Sequence, residues 1–313
     1  MISKSKFLIT GGAGFLGANL ARKLANEGHE VLCLDNLLTG KMSNLPESNP
    51  NIQFENIDIC EIEPSLYEAD CIFHFASPAS PKYYLKYPLE TMNVASRGTR
   101  NALEIARINN ARFIFSSTSE VYGRSEHFPQ NEDCNGIIDI NSKRAVYSES
   151  KRFAETMISE YRRKFSLDTT ILRLFNTYGP FMHPDDGRVV SNFLRQSLAK
   201  EPLSINGDGS QTRSFCYVDD MISAILKIID IDHPGPINIG NPEEISIIEL
   251  GELIYGIINP GEKPDIDFQR LHPGDPARRC PDIKLVHSLT GWRPKIWLRK
   301  GLFRYIEWFK KSF

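Results

Sequence analysis

Long apolar runs are missing from this 313-residue chain. No stretch approaches the roughly 18 residues that would cross a bilayer, so no membrane association is expected. No secretory leader is expected either. The chain starts ISKSKFLITGGAGF after Met1, a strand and a glycine turn rather than an apolar core with a small-residue cleavage site. An excess of one charge is also missing. Lys and Arg number 37 against 39 Asp and Glu, a formal charge of −2, so no field draws the chain to nucleic acid. The basic pairs Arg278-Arg279 and Lys310-Lys311 are too short to be nucleic-acid arms. The six cysteines, at 33, 60, 71, 134, 216 and 280, contain no Cys-x-x-Cys pair. That argues against a metal site and for buried thiols in a reducing cytoplasm. Internal repeats and low-complexity linkers are absent. What remains is an ordinary soluble composition, 24% charged and 41% hydrophobic, and a length that suits one large domain or two modest ones.

The first half alternates strand and helix patterns. KFLIT (6–10), EVLCLD (30–35), NIQFEN (51–56), CIFHFA (71–76), RFIFSS (112–117) and TTILRLF (169–175) read as strands. Residues 15–26, 89–108 and 147–165 read as helices. This alternation predicts an α/β fold, a doubly wound parallel sheet of Rossmann type covered on both faces. Past residue 176, short strands (PLSIN, RSFCYV, PINIG) mix with helices over 188–200, 219–229 and 246–258. The expected division is a dinucleotide-binding domain over 1–176 and a smaller mixed α/β substrate domain over 177–313, with interleaved segments. WLRKGLFRYIEWFKK near the end reads as an amphipathic helix that docks on the fold.

LITGGAGFLG sets Gly11, Gly14 and Gly17, with Phe15 and Leu16 between, directly after the first strand. Such a turn brings backbone and a helix N-terminus against a pyrophosphate. Asp35 closes the second strand, where a carboxylate accepts the ribose hydroxyls, and Asn36 follows it. A 2′-phosphate there would sit about 4 Å from the carboxylate and be repelled by about 4 kcal/mol at an effective dielectric of about 20. The expected cofactor is therefore NAD rather than NADP.

YSESK places Tyr147 and Lys151 one helical turn apart on one face. A phenol is a poor base at neutral pH. A nearby ammonium and the positive nicotinamide ring favour phenolate, and closing about three pKa units takes about 4 kcal/mol. The strand RFIFSS runs into Thr118, Ser119 and Glu120, and Thr118 is expected to hydrogen-bond the reacting hydroxyl beside Tyr147. A carboxylate at a strand exit is costly to desolvate without a partner or a task, which makes Glu120 a candidate.

With these motifs in order, the chain resembles the extended short-chain dehydrogenase/reductases that act on nucleotide sugars. TGGAGFLG, Asp35, Asp58-Ile59, HFAS, SST, YxxxK and FNTYGP carry the likeness. The resemblance implies that Asp58 and Ile59 flank the adenine, that Ala76 and Ser77 line the cofactor, and that Asn176 contacts the sugar nucleotide. It also implies a first step in which Tyr147 takes the proton of the sugar 4-hydroxyl while NAD takes the hydride. In this group 4,6-dehydratases read Thr-Asp-Glu after the strand, and 4-epimerases lack the glutamate. Thr118-Ser119-Glu120 is similar instead to the UDP-glucuronate decarboxylases, in which C4 oxidation makes a β-keto acid that loses carbon dioxide. Ser119 can bind the sugar carboxylate. Repulsion, water positioning and proton transfer all remain open for Glu120.

SPASPKYY (77–84), 175–193, 207–220 and GDPARRCPDI (274–283) support that branch. They nominate Arg188, Asn192, Arg213 and Arg279 for the nucleotide, diphosphate or carboxylate, tasks suited to guanidinium geometry. Arg278 is the neighbour to be told apart from Arg279. The departures are Ser148 and Ser150 where decarboxylases carry Asp and Gly, Ala95 where they carry Asn, and the approach 140–147. A 4-epimerase or a 4,6-dehydratase is the alternative, and a dinucleotide sensor or scaffold is the rival of another class, opposed by the intact Tyr147 and Lys151. His74 reads as a satisfied core histidine, while His183 and His272 lie in loops. The resemblance further implies a homodimer through residues 91–108 and 147–165.

Overall fold

The computed structural model describes residues 4–270 and 276–312, so His272 and the first two residues of GDPARRCPDI lie outside it. Six strands of the first half enter one sheet: β1 (Lys6–Thr10), β2 (Glu30–Asp35), β3 (Ile52–Asn56), β4 (Cys71–His74), β5 (Arg112–Thr118) and β6 (Thr169–Leu174). The helices are α1 (Phe15–Asn26), α2 (Pro81–Lys86), α3 (Pro88–Asn93), α4 (Thr99–Asn109) and α5 (Ala145–Phe165). The strand order is β3, β2, β1, β4, β5, β6 and then Pro236–Ile239, seven strands in all and all parallel. The order reverses between β1 and β4. In a doubly wound sheet the crevice beyond the carboxyl ends at that point is where ligands bind.

Side-chain alternation divides the core between the two faces of the sheet. Phe7, Ile9, Phe73 and Ile114 pack with α1 on one face. Leu8, Ile72, Phe113 and Phe115 pack with α4 and α5 on the other. Strands buried on both faces must be apolar throughout, which is why FLI, IF and FIF occur as unbroken runs.

Three local expectations are corrected. PINIG was placed with the second half, but Pro236–Ile239 rejoins the main sheet beside β6. A short apolar run carries no record of its neighbour. RSFCYV divides into Thr212–Ser214 and Cys216–Tyr217, which pair with different strands. The helix expected over 89–108 is interrupted by a wide π turn at Val94–Gly98. There the Thr99 hydroxyl reaches back to the Val94 carbonyl at 3.4 Å, and a Cβ on Gly98 would stand 3.0 Å from Ile59. The small-residue turn thus lets the helix lie close on the segment after β3.

His74 is buried at the end of β4 between Thr10 (2.7 Å) and Thr99 (3.1 Å). Burial, with a smaller push from Lys151, lowers its pKa to about 3. The unfolded chain takes up this proton near pH 6.5 and the folded chain does not. Stability is therefore present above that pH and lost as pH falls toward about 3. At pH 5 the loss should be about 2 kcal/mol. Urea midpoints of the native chain and His74→Gln, compared at pH 7 and pH 5, should show a steeper acid loss for the native chain. Parallel losses would refute this.

Candidate active site

One cavity of about 780 Å³ opens at the switch point, and every site residue nominated from sequence lines it. Its floor is the glycine turn. Gly11 has φ +70°, and a Cβ there would stand 2.7 Å from the Ala76 backbone nitrogen, so β1 and β4 could not approach. A Cβ on Gly17 would overlap the Gly11 carbonyl. α1 starts behind Gly14 with no side-chain cap and no acidic residue in its first turn. Its first N–H groups therefore face the cavity as an anion site. Phe15 and Leu16 lie along the same wall.

Asp35 serves the turn as well as the cavity. Its carboxylate accepts from the Ala13 N–H (3.0 Å) and the Leu37 N–H (2.8 Å), while burial raises its pKa above the ordinary value. Asn36 donates to Asp58 (2.9 Å), and Asp58 also accepts from the Cys60 N–H (2.8 Å), which sets buried Ile59 against the cavity. Ala76 and Ser77, just past β4, complete this half. The uncapped helix, the side-chain-free cradle and the carboxylate at the end of β2 fit a dinucleotide without a 2′-phosphate.

At the carboxyl end of β5 stands the chemistry-bearing group. Tyr147 is buried, with its ring stacked on that of Tyr84 at 5.1 Å and 4°. Thr118 hydrogen-bonds its phenol. Lys151 is buried below it and donates to the Ser116 carbonyl at 2.7 Å. Burial drives the Lys151 pKa down to about 7, opposed by the charge of Glu155. The Tyr147 phenol shifts opposite to the expectation from its lysine. Burial and then the Glu120 charge raise it, and Arg188, Thr118 and Arg279 only partly offset them. The protein alone therefore holds Tyr147 as a neutral phenol.

Glu120 has the partners its position demanded. Its carboxylate lies 3.4 Å from Arg144 and 3.8 Å from Arg279. Ser119 is buried beside it, and the Thr118 hydroxyl accepts from the Glu120 N–H at 3.2 Å. Arg144, just before α5, and Tyr84, on α2, escaped the reading of the sequence. Their signal is only that they fall in INSKRAVY and SPASPKYY, and no spacing rule brings them to Tyr147.

The far side of the cavity comes from the second half. Arg213 and Arg279 are buried neighbours on adjacent parallel strands. Arg279 Nε is buried with no hydrogen-bond partner among the described residues. Two adjacent buried guanidiniums and an orphaned donor make a site for an anion. Arg278 points away and pairs with Glu244 at 2.8 Å on the surface. Arg188 donates to the Ala79 carbonyl (3.0 Å) and pairs with Asp186 (3.2 Å), Asn192 donates to the Gly187 carbonyl (3.2 Å), and Asn176 to the Ser214 carbonyl (3.4 Å). His183 also lines the cavity. Among the described residues no group of His, Cys, Asp or Glu could hold a metal ion.

A dinucleotide cradle joined to a buried Tyr-Lys pair defines a nicotinamide-dependent short-chain dehydrogenase/reductase. Residues 7–240 match the model of the NAD dependent epimerase/dehydratase family, and the chain belongs to that family and uses NAD. It is 43% identical over 305 residues to UDP-glucuronic acid decarboxylase 1 of Arabidopsis thaliana, covering 97% of this chain and 70% of that one. It is 44% identical over 303 residues to UDP-glucuronic acid decarboxylase 6 of the same plant, covering 96% and 87%. Among solved structures it superposes on UDP-glucose 4-epimerase of Thermotoga maritima, solved with UDP-glucose, with a TM-score of 0.89, 29% identity and coverage of 98% and 99%.

The two adjacent arginines should respond differently to replacement. Arg279→Lys should lower kcat/KM by roughly 10- to 100-fold, the value of a charge-assisted hydrogen bond or two. Arg278→Lys, at an exposed ion pair, should leave it within about 3-fold. Steady-state kinetics on both variants checks this. Equal losses would remove Arg279 from the site.

Proposed function

We propose that the chain is a UDP-glucuronate decarboxylase that forms UDP-xylose. The observation that carries the proposal is Thr118-Ser119-Glu120 at the exit of β5, facing Tyr147, with Glu120 held between Arg144 and Arg279. A dehydratase needs an acid at position 119 to protonate a leaving hydroxyl, and Ser119 cannot serve. The relatives named above as decarboxylases support the same reading.

NAD supplies the hydride acceptor and later the donor. Gly11, Gly14, Phe15, Leu16, Gly17, Asp35, Asn36, Asp58, Ile59, Ala76 and Ser77 would hold it. Tyr147, poised by Lys151 and Thr118, takes the proton of the 4-hydroxyl as the C4 hydrogen leaves. The C4 ketone then stands β to the sugar carboxylate. The C5–carboxylate bond breaks, its electron pair enters the ketone as an enolate, and carbon dioxide departs. C5 takes up a proton, hydride returns to C4, and Tyr147 returns its proton to the oxygen. Ser119 and Arg144 orient the carboxylate, while the Glu120 charge opposes its retention. Arg213 and Arg279 bind the diphosphate or the carboxylate. Arg188, Asn192 and Asn176 line the nucleotide end. No oxidant is consumed, because oxidation and reduction cancel.

The homodimer belongs to this proposal too. Met92, Ile108, Phe153 and Phe165 stand exposed on α3, α4 and α5, an apolar surface that a second copy would cover. So does a division of labour between 1–176 and 177–313, and a cytoplasmic setting, supported by six free thiols. No helix among the described residues is long and apolar enough to cross a membrane.

The test is the product formed from UDP-glucuronate and NAD in deuterium oxide, followed by NMR. UDP-xylose carrying one deuterium at C5 is expected, with carbon dioxide released. UDP-galacturonate, or UDP-xylose without deuterium at C5, would refute the proposal.

A further inference from the structure

Behind the cavity wall lies a second polar cluster that the reaction above does not use. Glu155 follows Lys151 by one turn on α5, so both side chains leave the same face of the helix toward β5. Glu155 is nearly buried, with its side chain 12% exposed. Its Oε1 accepts from the Ser117 hydroxyl and from Arg173 Nε at 3.1 Å, and its Oε2 accepts from the second arm of Arg173 at 2.8 Å. Ser117 and Arg173 are register partners on β5 and β6. Arg173 is anchored in turn by Tyr122 (3.1 Å) and the Glu132 carbonyl (3.0 Å), and the Tyr122 hydroxyl donates to Asn238 at 2.7 Å. The clamp thus grips Ser117, and its two chain neighbours hold the chemistry. The Ser116 carbonyl receives the Lys151 ammonium, and Thr118 bonds Tyr147.

We propose that Glu155 is a positioning residue for the proton chemistry, fixing the exit of β5 through Ser117 and holding the buried Lys151 in its charged form. The inference rests on the roles given above to Tyr147 and Lys151. Glu155 and Arg173 lie outside the cavity lining, so the role runs through β5 and through charge, not through contact with substrate. The groups facing Lys151 are Tyr147 and Glu155 from its own helix, the Ser116 carbonyl and the Phe115 ring (4.6 Å) from β5, and His74 from β4. His74 is neutral near pH 7, because burial keeps its proton off. Arg173, on β6, is engaged by Glu155 itself. Of these groups only Glu155 supplies a negative charge. An ammonium in a dry site loses its proton unless such a charge is near.

The variant is Glu155→Gln, which keeps the shape and an acceptor for Ser117. A Lys151 held by Glu155 predicts that the Lys151 titration midpoint falls by about one pH unit. The midpoint is read by NMR of 13C-lysine-labelled protein, with Lys151→Met supplying the assignment. The alkaline limb of kcat should move down with it, kcat at pH 7.5 should fall about 10-fold, and KM for UDP-glucuronate should change less than about 3-fold. Glu155→Asp should recover much of the loss. Loss of its carboxylate partner leaves Arg173 buried and unpaired, so the single variant can fail to fold. In that case Glu155→Gln/Arg173→Gln, neutral on both sides, carries the same prediction. An unchanged Lys151 midpoint, or kcat and KM falling together with an unshifted pH profile, would overturn the inference while the decarboxylase reading stood. Wild-type turnover by Lys151→Met would instead overturn the reading beneath it.

Discussion

Everything at this site depends on putting a lysine and a tyrosine where water does not reach. Lys151 sits under the end of β5 with its ammonium on a backbone carbonyl, and burial lowers its pKa to about 7 against the opposing charge of Glu155. Tyr147 is pushed the other way by the same burial. In the proposed reaction Tyr147 becomes the base when positive charge arrives beside it, because the same dry surroundings that suppress ionisation magnify a neighbouring charge. The sheet makes this possible. Seven parallel strands, the central ones buried on both faces, form the sheet, and β1, β4, β5 and β6 all end at the cavity.

The second constraint is charge balance. A nucleotide uronate brings a diphosphate and a carboxylate, and the charged groups that line the cavity include Arg144, Arg188, Arg213 and Arg279 as well as Glu120 and Asp186. Glu120 lies within 4 Å of both Arg144 and Arg279, and in the proposed reaction it tempers their pull on the sugar carboxylate. A site that bound that carboxylate too tightly would stabilise the ground state and slow its loss. The orphaned Arg279 Nε and the uncapped start of α1 show the same principle at opposite ends of the cavity, as donors left unsatisfied by the protein that await an anion.

Much of this was legible in the sequence wherever the physics is local. The glycine turn could be read because a positive φ and two close approaches each exclude a side chain within a few residues of chain. The Tyr147–Lys151 pair could be read because one helical turn fixes their distance. Asp35 was read as a ribose acceptor, but its clamp on the Ala13 N–H was not, since that bond spans the turn in space. Arg144 and Tyr84 reach Tyr147 through folds of loop that no periodicity encodes. Pro236–Ile239 was misplaced because a four-residue apolar run fits any buried strand. The direction of the Tyr147 shift was misread for a related reason. Sequence shows the lysine, and only the fold shows how dry the phenol is.

The central claim is that the C4 hydrogen leaves the sugar and comes back. UDP-glucuronate carrying deuterium at C4 tests it directly. The account predicts UDP-xylose with that deuterium retained at C4, a slower turnover than with hydrogen, and no lasting rise in absorbance at 340 nm. Deuterium retained without an isotope effect on any step would mean that carbon dioxide leaves without oxidation at C4, and deuterium lost to solvent would mean that the C4 hydrogen is not returned as hydride; either result would contradict the account.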